Sequence, residues 1–109
     1  MSARIRRTTA DRLRAALRDL ARGHAQITAH SETAWASATF SGGRHRIHLV
    51  FEGAEAMEAG ESFIALLPEH EFAIAGQLVA DATVVEVDHR LLPEPRLAVV
   101  AELLLLEHS

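Results

Sequence analysis

A chain of 109 residues, 49% apolar and 24% charged, is long enough to bury one core without disulfides or metals, and its make-up is not that of a disordered protein. It has no cysteine, which excludes disulfides, thiolate metal sites and cysteine nucleophiles, and its longest apolar runs, such as 97–101, as well as 103–106, fall far short of the roughly 20 residues of a membrane span. Its charge is segregated: the first 22 residues hold seven arginines against Asp11 and Asp19, a net +5, and the remainder holds four arginines against thirteen acids, a net −9.

Residues 1–109 are expected to form a single domain, with residues 1–7 as a flexible basic arm. The first helix begins at Thr8 or Thr9, either of which can cap it, and stops at Gly23. Leu13, Leu17 and Leu20 recur at helical spacing, and Arg14, Arg18 and Arg22 form a separate row. Like charges four apart repel, so acids at Glu55, Glu58 or Glu61 on the second helix are the expected neighbours of that row.

Two alternating segments follow, 34–40 and 45–51, separated by Ser41-Gly42-Gly43-Arg44. The two glycines suit a tight hairpin turn. Counting outward from them pairs Ala38 with Ile47, Ala36 with Leu49 and Ala34 with Phe51 on one face, and Trp35 with Val50 and Ser37 with His48 on the other.

A second helix runs from Gly53 to Leu67 and is halted by Pro68, with Ala56, Met57, Gly60, Phe63, Ile64 and Leu67 on one broad face. Gly60 costs this helix about 1 kcal/mol relative to alanine, which close approach of helix to sheet would justify. Strands are expected over Leu78–His89 and Leu97–Leu106, joined by a stiff connection at Pro93 and Pro95. The order α-β-β-α-β-β describes an α+β two-layer sandwich, a four-stranded, mainly antiparallel sheet with two helices on one face.

That arrangement leaves the other sheet face bare. It carries Trp35, Arg46, His48 and Val50, and the last strand is apolar on both sides, which strands buried on both sides are. A second copy laid on this face would cover it, so a homodimer through the open sheet face is expected, with those four residues as ligand or partner surface.

The seven histidines lack the paired spacing of a zinc site, so no metal or other cofactor is expected. Glu69-His70-Glu71 and Glu86-x-Asp88 are the nearest approaches to an acid–base group, and each has a plainer reading as a solvated turn or strand end. No nucleophile elbow, phosphate loop or dinucleotide motif is present, so catalysis has no support; an enzyme or ligand site would have to form at a subunit seam.

Nucleic-acid binding through Arg4, Arg6, Arg7, Arg14 and Arg18 is the alternative, opposed by the acidic balance of the whole chain and its few aromatics. The arginines at the N-terminus are not followed by the apolar stretch of a secretory signal. The expectation is a small cytoplasmic binding or assembly domain.

Overall fold

In the computed structural model, which describes residues 7–108, Thr8 caps α1 (Thr9–Leu20) through a reciprocal pair of hydrogen bonds. The Thr8 N–H donates to the Asp11 carboxylate and the Asp11 N–H donates to the Thr8 hydroxyl, both at 3.1 Å. The bonds from Thr8, its backbone N–H foremost, hold the Asp11 carboxyl below its ordinary range. Past the helix end, Arg22 and Gly23 both take left-handed angles, and Gly23 is the glycine the sequence marks as the stop.

The remaining elements are β1 (Gln26–Ala36), β2 (Ser41–Glu52), α2 (Ala54–Leu66) with a single 3-10 turn at Leu67–Glu69, β3 (Gln77–Arg90) and β4 (Arg96–Glu107). The sheet order is β1-β2-β4-β3, and every neighbouring pair is antiparallel. The protein is therefore an α+β two-layer sandwich with the element order α-β-β-α-β-β. No helix among the described residues is long and apolar enough to cross a membrane.

The first hairpin corrects the sequence reading. Its turn is Ser37–Phe40, closed by the Ser37 N–H donating to the Phe40 carbonyl at 2.8 Å and by the Phe40 N–H donating to the Ser37 hydroxyl at 3.1 Å. Gly42 and Gly43 lie inside β2, opposite Trp35 and Ala34. The expected partner of Trp35 was Val50, so the register differs by eight residues. An even difference keeps Ala34, Trp35 and Ala36 on their expected faces, with Trp35 sharing a face with Arg46, His48 and Val50 as read, whereas Ser37 and Ala38, expected in the first strand, lie in the turn.

Both helices cover the face formed by Ile47, Leu49 and Phe51 of β2 and by Leu97, Val99, Ala101, Leu103 and Leu105 of β4. α1 and the Ala21 that follows it contribute Leu13, Leu17 and Ala21 to this core; α2 and its terminal turn contribute Met57, Phe63 and Leu67. The rings of Phe51 and Phe63 meet at 5.8 Å in a tilted pair. Gly60 stands where α2 presses closest: a Cβ there would lie 2.6 Å from Leu97 Cδ2 and 2.8 Å from Phe51 Cγ.

Both neighbours are buried and cannot swing aside. Gly60→Ala should therefore destabilise the fold by about 1 kcal/mol, since overpacking of about 1–3 kcal/mol outweighs a helix-propensity gain of about 1 kcal/mol. A thermal melt should show a fall of about 5 °C. A neutral or rising melting temperature would show that the helix can stand off from the sheet at little cost.

The arginine row forms no ion pair with the acids of α2 among the described residues: none joins Arg14, Arg18 or Arg22 to Glu55, Glu58 or Glu61; Arg14 pairs with Asp11, and His24 faces Glu55 at 3.9 Å. The reason is placement. The end of α1 meets the start of α2 around a hollow lined by Arg22, His24, Glu55 and Glu58, and Arg14 is drawn inward to β1.

Candidate interaction surface

The sheet face turned away from the helices is built on β4, whose Ala98, Val100, Glu102, Leu104 and Leu106 point outward between β2 and β3. β2 supplies Gly42, Arg44, Arg46, His48 and Val50; β3 supplies Leu78, Asp81, Thr83, Glu86 and Asp88. Trp35 of β1 lies beyond Gly42, half-buried. The four surface residues named from the sequence thus share one face, and three of them are on a single strand.

Bulges interrupt both edge strands, at Thr28 in β1 and at Ala80 and Val85 in β3. Bulges bend and twist a strand, and they also spoil an edge for pairing with another sheet. The open face encloses a hollow of about 330 Å³, with Val50 and Val100 only 7% and 6% exposed and with Thr28, His48, Glu86, Asp88 and Arg96 around them. His48, Glu86 and Asp88 therefore border one hollow, although β4 separates their strands. Among the described residues no three histidine or carboxylate side chains gather as a metal site would require.

From Gly42 to Val50 and from Leu78 to Asp88, the basic and acidic side chains of this face are sorted by strand. β2 carries Arg44, Arg46 and His48, and β3 carries Asp81, Glu86 and Asp88. Arg46 is held by Glu102 across the ladder, and Asp88 lies 3.8 Å from Arg90. Among the described residues Arg44, Asp81 and Glu86 have no ion-pair partner, and all three are exposed. Leu78 is 52% exposed at the end of the same face.

A second polar arrangement, on the helix side, was not legible in the sequence. Arg14 of α1 lies 2.8 Å, through Nη1, from His30 Nδ1; His30 Nε2 lies 2.8 Å from His45 Nδ1; His45 Nε2 lies 3.8 Å from a Glu32 carboxylate oxygen. His45 is 1% exposed. Burial lowers the pKa of both histidines, and the neighbouring His45 and Arg14 push His30 further down; Glu32 pulls in the opposite direction on both. His45 takes part only because its strand register sets it beside His30 and opposite Glu32.

Of the arginines read as nucleic-acid contacts, Arg14 is engaged by Asp11 and His30, while Arg7 and Arg18 are exposed. Arg4 and Arg6, with most of the expected basic arm, lie outside the described residues.

The chain matches no family model, and no curated protein sequence matches it. Among solved structures, a chain from the virion of a native gene transfer agent (GTA) particle has the same fold, with a TM-score of 0.58 over 90% of this chain and 91% of that one. The two are 13% identical, so the likeness is one of fold.

Proposed function

We propose that this protein is a subunit of a protein assembly and that it associates with copies of itself through the open face of its sheet. One observation carries the reading: both helices lie on the same side, and the opposite side combines apolar β4 residues with unpaired charges of both signs. Neither helix of the described residues covers that side. Trp35, Arg46, His48 and Val50 belong to this surface, with Leu104 near its middle and Leu106 at one end.

The bulged edges favour association face to face rather than edge to edge. A role in assembly also accords with the setting of the chain of similar fold, which belongs to a virion particle. On this reading the subunits meet in the cytoplasm and need no cofactor.

Sedimentation velocity at micromolar concentration tests the proposal. Wild-type protein should sediment as a dimer or larger species, and Leu104→Glu, a change on the half-buried outer side of β4, should weaken association at least tenfold. Far-ultraviolet circular dichroism should be unchanged. Wild-type protein that remains monomeric at several hundred micromolar would overturn the reading.

A further inference from the structure

We infer that the second copy docks with a two-fold axis running along β4, so that β2 of each chain lies over β3 of the other. The inference rests on the open-face reading above and goes further, because the charges of the face select one arrangement.

A face-to-face pair related by a two-fold axis in the plane of the interface has two limiting geometries. With the axis across the strands, β2 lies over β2 with its direction reversed. About the middle of the face at Glu102, Arg44 then meets His48 and Asp81 meets Glu86, so like stacks on like. With the axis along β4, heights are kept and sides are exchanged.

The ladder gives those heights directly. Arg44, Leu104 and Asp81 share one level, His48, Val100 and Glu86 share another, and Glu52, Arg96 and Arg90 share a third. Each Arg44 then faces the partner's Asp81, each His48 presents a ring nitrogen to the partner's Glu86, and each Glu52 faces the partner's Arg90. At the other end Leu78, 52% exposed, faces Gly42, where no side chain competes for room and Trp35 stands alongside.

Three meetings do not offer opposite charges: Arg96 would meet its own copy on the axis, where Glu52 of the adjoining strand lies beside each, and the other two are explained within the chain. Glu102 would meet its own copy on the axis, but Arg46 already neutralises it. Val50 would face Asp88, which lies beside Arg90. Three overlapping strands of about 12 residues, at a spacing near 4.8 Å and a rise near 3.3 Å, offer roughly 600 Å² per copy. The pair would bury about 1,200 Å², the lower bound for a stable complex.

The test exchanges charges between chains. Arg44→Asp and Asp81→Arg each place two like-charge meetings in a homodimer, and each should weaken self-association tenfold or more. Mixed in equal amounts, the two variants should form a heterodimer of wild-type affinity, because both crossed contacts are then opposite in sign. Both variants keep a net negative charge, so bulk attraction cannot mimic the rescue. Both residues are exposed, so folding should be untouched.

If wild-type protein associates and Leu104→Glu disrupts it, but the charge variants associate normally or show no rescue on mixing, the axis along β4 is wrong and the open-face reading stands. If wild-type protein does not associate, both fall.

Discussion

Gly42→Ala is expected to cost the fold about 3 kcal/mol or more, a large share of the total if stability is at the low end of the usual range of about 5–15 kcal/mol. The backbone at Gly42 is pressed against β4: a Cβ built there would lie 1.9 Å from the Leu105 carbonyl oxygen and 2.9 Å from the Leu106 Cα. Both are main-chain atoms of a central strand, so relief requires β2 and β4 to part at the end of the sheet.

Gly43→Ala is the informative control. Its Cβ would meet the Glu32 carboxylate, with Oε2 at 2.5 Å, which is the far end of a flexible side chain 54% exposed to solvent. Glu32 can move away, so this neighbouring substitution should cost less than about 1 kcal/mol. Urea unfolding of the two variants beside wild type separates them. Equal losses would show that the strand tolerates a methyl group at Gly42 and that the close approach to β4 is not fixed.

The same two glycines show where the sequence could and could not be read. A Gly-Gly pair between alternating segments is a strong local turn signal, and nothing local reveals that these glycines answer to a different strand sixty residues away. The true turn carries a weaker mark, Ser37 three residues before Phe40, where a serine hydroxyl caps a loop.

Element order and face assignment survived the error because side-chain direction in a strand has a period of two and the register differs by an even number. Cross-strand neighbours did not survive it. Counting outward from Gly42-Gly43 carries His30 past the end of the hairpin. Counting from Ser37–Phe40 sets Glu32 opposite His45 and His30 one step along, so the histidine pair follows from the register alone. The face of α2 was legible, Gly60 included, because helical periodicity is local. The ion pairing of the arginine row was not, because it depends on how two helices are set on a sheet.

Acidification should destabilise this protein, and the chain from Arg14 to Glu32 explains the sign. An arginine only donates, so Arg14 fixes His30 Nδ1 as an acceptor and puts the single ring proton of His30 on Nε2. That proton is donated to His45 Nδ1, which fixes the proton of His45 on Nε2, directed at Glu32. Each ring is held neutral in one tautomer, and a second proton on either removes an acceptor that its neighbour needs.

Burial lowers both pKa values below the ordinary histidine value of 6.5, so in the folded state these rings take up protons later than in the unfolded chain. The unfolded state then binds more protons as pH falls through that value. Stability is full above it and declines below it, until the folded rings are also protonated.

Between pH 7.5 and pH 5 the loss should be about 1–3 kcal/mol, the usual cost of an unsatisfied buried polar group, read as a fall in the urea midpoint. His45→Asn keeps an acceptor for His30 without a titrating ring; it should lower stability at pH 7.5 and flatten the decline. Glu32→Gln removes the group that favours charged His45, so its decline should be steeper. A wild-type midpoint that does not change across this range, or a His45→Asn profile as steep as wild type, would show that the buried pair does not control the response to acid.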